Sequence, residues 1–133
     1  FRLIESETIE VSLGRTTALV LTRDRRSLAS PPEPRGVRLL PVHDPYLQQR
    51  DRATVIPREA DRRKLWQAVR GPGGVLVDGE IAGIWRARTK DTRLEVSVEP
   101  FGRPARRARD AIEEEAVRLA PFRECESVEV TFA

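Results

Sequence analysis

An Asp-Gly pair between two apolar segments is the feature that most constrains the fold. Val75-Leu76-Val77 precedes Asp78-Gly79, and a second apolar segment, 81–87, follows the pair. Asp and Gly tolerate the positive φ angles that tight β-hairpin turns require. The pattern therefore predicts a hairpin whose second strand directs Trp85 to the core and Arg86 and Arg88 to the opposite side, because side chains alternate along a strand.

Alternating apolar and polar residues, β-branched residues and a short buried segment predict five further strands, and three- and four-residue spacing of apolar residues predicts two helices. The strands are expected at 7–13, 16–22, 37–40, 93–99 and 127–132, and the helices at 58–70 and 104–119. The expected inner face of the first helix is Leu65, Ala68 and Val69, with Trp66 at its margin. The order β-β-β-α-β-β-β-α-β predicts an α+β fold: a mostly antiparallel sheet or partial β-barrel with two helices.

The length of 133 residues, 39% of them apolar, suits one domain with a real core. A Pro-rich connector at 27–36 follows the opening hairpin. We therefore expect the hairpin to occupy 1–30 and the main domain 31–133. The chain contains no methionine, which predicts that it is a piece of a longer protein.

Arginine dominates the charged residues, with 22 arginines among 24 basic residues against 21 acidic ones. A GC-rich genome accounts for such a bias, and so does phosphate binding, since the guanidinium fork matches phosphate geometry. The candidate phosphate contacts are Arg86 and Arg88 on the hairpin and Arg103, Arg106 and Arg107 near the start of the second helix, next to Arg109. The helix macrodipole disfavours cations at that end, so this cluster is either a phosphate contact or a solvated surface.

Several kinds of chemistry are excluded by composition. One histidine and one cysteine are too few for a zinc site, and Gly71-Pro72-Gly73-Gly74 lacks the Lys-Ser/Thr of a phosphate loop. His43-Asp44 suggests a general base, but adjacent side chains diverge, which favours a turn instead. We expect no catalytic residue, metal or cofactor. The single Cys125 predicts a reducing cytoplasm, and no apolar segment approaches the roughly 20 residues of a membrane helix.

Three segments together resemble a known family. They are VRLLPVHDPYLQQRDR (37–52), GVLVDGEIAGIWR (74–86) and LEVSVEPFG (94–102). They are similar to the C-terminal region of bacterial winged-helix DNA-binding domain-containing proteins, relatives of the AlkZ/YcaQ DNA glycosylases that unhook DNA interstrand crosslinks. The motif residues are Asp44, Tyr46, Arg52, Asp78, Gly79 and Trp85.

The resemblance implies a β-barrel-like closing domain that follows tandem winged-helix units of the same chain. It allows residues 1–30 to be the end of the preceding unit. The family's catalytic motif is a Q-x-Q or Q-x-D segment in the winged-helix part, and Gln48-Gln49 does not match it. No catalytic residue is therefore expected here, and glycosylase activity of the parent protein stays open.

Three hypotheses follow. The first is an accessory domain that contacts DNA phosphates through arginines, without reading sequence. The second is a non-catalytic module that braces the winged-helix units and leaves DNA untouched. The third, an independent small-molecule enzyme, requires His43, Asp44 and Arg52 to converge in a deep cleft.

Overall fold

A computed structural model describes residues 2–14, 16–69 and 71–133. The chain divides into two compact units, Phe1–Glu33 and Pro34–Ala133. Within the described ranges, no helix has both the length and the apolar character needed to cross a membrane.

The first unit contains the predicted hairpin, with β1 (Thr8–Leu13) antiparallel to β2 (Thr16–Leu21). A short 3-10 helix precedes the hairpin, a second follows it, and helix α1 spans Arg25–Ala29. The expected Pro-rich connector is therefore helical in its first residues. None of the side chains described in this unit is fully buried, so the hairpin has no core of its own among them.

The second unit is built on a five-stranded sheet with the order β3-β4-β5-β6-β7. The strands are β3 (Val37–Leu40), β4 (Gly73–Val77), β5 (Glu80–Lys90), β6 (Arg93–Pro100) and β7 (Ser127–Phe132). All neighbours are antiparallel except β6 and β7, which are parallel and joined through helix α4 (Arg106–Leu119). The predicted α+β class is confirmed. The described strands form an open sheet with β3 and β7 at its edges, not a closed barrel.

The β4–β5 hairpin has the turn that the sequence predicts. Asp78 and Gly79 adopt φ angles of 47° and 89°. Asp78 also anchors the turn to the segment before β3: its Oδ1 accepts from the Gly36 amide at 2.7 Å, and its own amide donates to the Gly36 carbonyl. A Cβ at Gly79 would lie 2.5 Å from Pro34 Cγ, so this position has no room for a larger residue.

Helix α4 covers one face of the sheet and closes the larger core. Ile112 and Ala116 pack there against Leu94, Val96 and Val98. Trp85 belongs to the same core, as predicted, and its indole N–H donates to the Leu40 carbonyl at 2.8 Å. Burying an indole without such an acceptor would be costly, so the bond fixes the ring as well as satisfying it.

A smaller core lies on the other side of the unit, around Leu47, Ile56, Leu65, Ile81 and Ile84. It is closed by a 3-10 helix (Pro45–Gln48) and two short helices, α2 (Arg52–Val55) and α3 (Glu59–Leu65). The segment 42–56 has no clear sequence period, and its two elements, the 3-10 helix and α2, were not predicted.

The predicted helix at 58–70 is too long. Helix α3 ends at Leu65, because Trp66 leaves the helical conformation (φ −91°, ψ 68°). The Trp66 indole N–H donates to the Leu47 carbonyl at 2.9 Å, a tertiary contact that helical spacing does not reveal. Ala68 and Val69 are consequently exposed rather than part of an inner face.

Candidate nucleic-acid interface

The start of α4 concentrates positive charge. Its N-cap residue, Ala105, has the extended backbone of a cap but no side chain that could bond the free amides. The first turn contains no acidic residue and begins with Arg106 and Arg107. Cations at this end oppose the macrodipole, and an uncapped start leaves amide donors unsatisfied. Both features increase the positive potential of this end.

Three of the arginines line one shallow depression beside α4. Arg103 comes from the β6–α4 connection, and Arg106 and Arg109 come from the helix. Arg106 is 94% exposed and lies only 4.0 Å from Asp110, a loose contact. The Arg109 guanidinium lies 4.4 Å from the centre of the Phe132 ring, a cation–π contact that holds it at the surface. Arg103 forms no hydrogen bond or ion pair with any residue that the structure describes.

The depression also contains acidic groups. Asp110 and Glu113 line it together with the three arginines. The positive charges outnumber the negative ones, and Arg103 is not engaged by either carboxylate. We call Arg103, Arg106 and Arg109 the helix-start cluster. Arg107, one position further around α4, lines a different cavity between the helix and the sheet.

Arg86 and Arg88 lie on the sheet face opposite α4, as the alternation on β5 predicts. Both are exposed, while Trp85 and Ala87 point to the α4 side. The Arg86 guanidinium donates to the Gln67 side chain at 3.1 Å. The Arg88 guanidinium donates to the Glu95 carboxylate, its cross-strand neighbour. The five candidate arginines therefore occupy separate surfaces rather than one.

Ion pairs engage two of the arginines of this sheet face, Arg88 and Arg93. Glu95 also lies 4.0 Å from Arg93, and Arg93 is 3.4 Å from Glu129 on β7. The hydrogen bond from the Arg88 guanidinium holds the pKa of the Glu95 carboxyl below its usual range, and the nearby positive charges act in the same direction.

The motif residues of the 44–52 loop contact other parts of the same unit. Asp44 caps the 3-10 helix at 45–48 by accepting from the Tyr46 amide at 2.8 Å. The Tyr46 hydroxyl donates to the Gly79 carbonyl at 3.3 Å, which ties the loop to the β4–β5 turn. Arg52 lies over the Trp66 ring at 5.0 Å. Asp51 caps α2, and the hydrogen bond from the Thr54 hydroxyl lowers the pKa of the Asp51 carboxyl.

An enzyme site does not assemble from these residues. His43 and Arg52 line a shallow pocket beside Trp66, but the Asp44 carboxylate is turned to the Tyr46 amide instead. Among the described residues, no group of three or more His, Cys, Asp or Glu side chains could hold a metal ion. Sequence reasoning missed one buried charge: Asp61 is 5% exposed and lies 3.5 Å from Arg58, an i,i+3 pair visible in the sequence.

Comparisons with known proteins agree with this architecture. The sequence pattern of a family described as "DNA glycosylase AlkZ-like" matches residues 2–122. The solved structure of the Streptomyces sahachiroi DNA glycosylase AlkZ is similar, with a TM-score of 0.75 and 27% identity over 99% of this chain. This chain covers 35% of that protein, about a third of its length. No curated protein matches. The family resemblance is confirmed, since the match spans most of the sequence: the chain belongs to the DNA glycosylase AlkZ-like family.

Proposed function

We propose that this chain is an accessory DNA-binding domain that grips duplex phosphates through the helix-start cluster. The observation that carries the proposal is the exposed, weakly paired state of these arginines at the uncapped start of α4. Guanidinium groups bind phosphate oxygens in bidentate fashion, and such contacts position a protein without reading the bases. Membership of a DNA glycosylase family supports DNA as the partner.

The remaining candidates have secondary roles in this proposal. Arg107 flanks the cluster on the same helix turn and reaches a phosphate only if the backbone passes over both flanks of α4. Arg86 and Arg88 lie on the other sheet face and must release Gln67 and Glu95 before they can bind phosphate. Their contribution should therefore be smaller, because breaking an existing ion pair offsets the new contact.

In this proposal, catalysis takes place in another part of a longer protein. The chain covers only 35% of the similar solved glycosylase, and its described residues do not bring His43, Asp44 and Arg52 together in one site. We place any base excision in winged-helix units of a longer cytoplasmic protein, with 34–133 as its closing domain and 1–33 as the end of the preceding unit. An accessory grip would hold the distorted duplex while a nucleotide is extruded.

Fluorescence anisotropy of a labelled duplex, titrated with the 133-residue chain at low and then physiological salt, tests the proposal. Binding should ignore sequence and weaken steeply with salt. The double variant R103A/R106A should reduce the salt slope by about one for each arginine removed.

Two matched variants remove the same charge elsewhere. R25A/R26A changes two exposed arginines of α1, and R86A/R88A changes the sheet face. Both should bind nearly as well as the unmodified chain. If R25A/R26A loses as much affinity as R103A/R106A, only net charge matters and the helix-start cluster is not the contact surface.

A bracing module is the second candidate, favoured by exposed apolar side chains. Val117, in the last turn of α4, is 59% exposed, and Phe122, in the 3-10 helix that follows it (Pro121–Arg123), is 85% exposed. Exposed apolar surface of this kind often marks a protein docking surface. This candidate predicts no DNA binding even at low salt.

A further inference from the structure

A partly enclosed cavity lies between the first half of α4 and the sheet. Its volume is about 380 Å³. The floor consists of the buried side chains Val37, Val75, Val98 and Ile112, and the rim includes the exposed Arg107 and Asp78. Small-molecule sites have the same character: volumes of about 300–1,000 Å³ and mostly apolar walls with a few polar groups.

The cavity exists because small residues meet across it. Helix α4 presents Ala108 and Ala111 to this side, where leucine side chains would fill the space. On the sheet, Gly83 contributes no side chain, and a Cβ there would lie 2.8 Å from the Glu99 carbonyl oxygen. The backbone spacing of β5 and β6 therefore requires a glycine at this position, so the space is a consequence of the fold.

Two side chains of opposite charge line the cavity, Arg107 and Asp78, and they differ in their hydrogen bonding. The Arg107 guanidinium forms no hydrogen bond or ion pair with the residues that the structure describes. The other charged lining residue, Asp78, already accepts from the Gly36 amide at 2.7 Å. An apolar floor with a free guanidinium at the rim is complementary to a ligand that has both an apolar part and an anionic part.

We propose that this cavity binds a small amphiphilic anion. Its apolar body packs against Val75, Val98 and Ile112, and its carboxylate, phosphate or sulfonate group binds Arg107. This site is distinct from the helix-start cluster, since Arg103, Arg106 and Arg109 line the depression on the other flank of α4. It does not depend on DNA contact, and its test contains no DNA.

The probe is 8-anilinonaphthalene-1-sulfonate, which combines an aromatic body with a sulfonate. Added to the intact chain, it should bind at one site, and the methyl NMR signals of Val75, Val98 and Ile112 should shift. R107A should weaken binding about tenfold or more, the usual effect of losing a charged hydrogen bond. R106A removes the same charge from the other flank and should leave the affinity within about twofold.

Two further arms separate the cavity from general apolar binding. Ala108→Leu fills the cavity and should abolish binding while near-UV circular dichroism stays native. The neutral analogue 1-anilinonaphthalene should bind equally well to the unmodified chain and to R107A. If A108L does not fold, the proposal is tested by the methyl shifts of the unmodified chain and by the affinity of R107A for the probe. Methyl shifts confined to Val117 and other surface positions, or equal affinities of R107A and R106A, would overturn the proposal.

Discussion

The helix-start cluster and the β5–β6 sheet face both present arginines, but the two surfaces differ in how these arginines are paired. On the sheet, Arg88 and Glu95 are directly opposite in the antiparallel register and form an ion pair. At the start of α4, Arg106 has only a loose contact with Asp110, at 4.0 Å, and Arg103 has no partner in the described part of the chain. Both surfaces are exposed, so exposure alone does not distinguish them.

The difference comes from the secondary structure that presents the arginines. Strand pairing places a side chain of the neighbouring strand about 5 Å away on the same face, so an opposite charge there compensates automatically. The first turn of a helix has acidic neighbours only in the following turn, and here Asp110 comes no closer than 4.0 Å to Arg106. The pairing of an arginine therefore depends on the element that presents it, and arginine content by itself predicts little.

The two arginine surfaces lie on opposite sides of one sheet. The largest effect on stability should therefore come from a substitution in the core of that sheet, at Trp85. Trp85→Ala removes a ring that is 8% exposed and leaves the Leu40 carbonyl without its donor. We expect a loss of about 3–5 kcal/mol in the free energy of unfolding. Urea denaturation followed by circular dichroism measures it. The control Phe122→Ala changes a residue that is 85% exposed and should shift stability by less than about 0.5 kcal/mol.

Trp85 also shows how much of the fold the sequence predicts. Alternation and the Asp78-Gly79 turn are local signals, so the hairpin, the core position of Trp85 and the outward direction of Arg86 and Arg88 could be predicted. The two-residue turn at 91–92 also implies the Arg88–Glu95 register, a signal that went unused. Each of these features can be predicted from a few neighbouring residues.

Long-range packing accounts for what could not be predicted. The end of α3 at Leu65 depends on the bond between Trp66 and Leu47, 19 residues apart. The division of Arg106 and Arg107 between two flanks of α4 follows from helical geometry, but the cavity beside Arg107 depends on where the helix lies on the sheet. Such distances are properties of the packed structure, and no local pattern contains them.

Ala105 allows the uncapped helix start to be tested. Its extended backbone suits an N-cap, so Ala105→Ser and Ala105→Asp should each stabilise the chain by about 1 kcal/mol. Only A105D adds a negative charge among the arginines, so only A105D should weaken duplex binding. Thermal unfolding and anisotropy measure the two effects. Equal DNA affinity of A105D and A105S would indicate that the positive potential at this end is irrelevant to binding.

Neutralising Glu95 tests whether the sheet face binds DNA once Arg88 is no longer paired. Glu95→Gln removes the charge that engages Arg88, which should raise duplex affinity a few-fold and steepen the salt slope by about one. The matched control is Glu59→Gln, which releases Arg63 on α3 from an equally simple pair. A similar gain in both variants would mean that net charge, rather than a phosphate contact at Arg88, is responsible.

The smallest effect is on the ionisation of Glu95. Because Arg88 lowers its pKa in the folded chain, Glu95 should titrate below the ordinary glutamate value of 4.5 in carboxyl NMR. A depressed folded pKa stabilises the fold above the unfolded pKa, and that contribution is lost as the pH falls through the folded value. Arg88→Ala should move the Glu95 pKa up and flatten the acid side of the stability profile. An unchanged Glu95 pKa in R88A would show that the cross-strand pair does not hold in solution, and the contrast between the two arginine surfaces would then disappear.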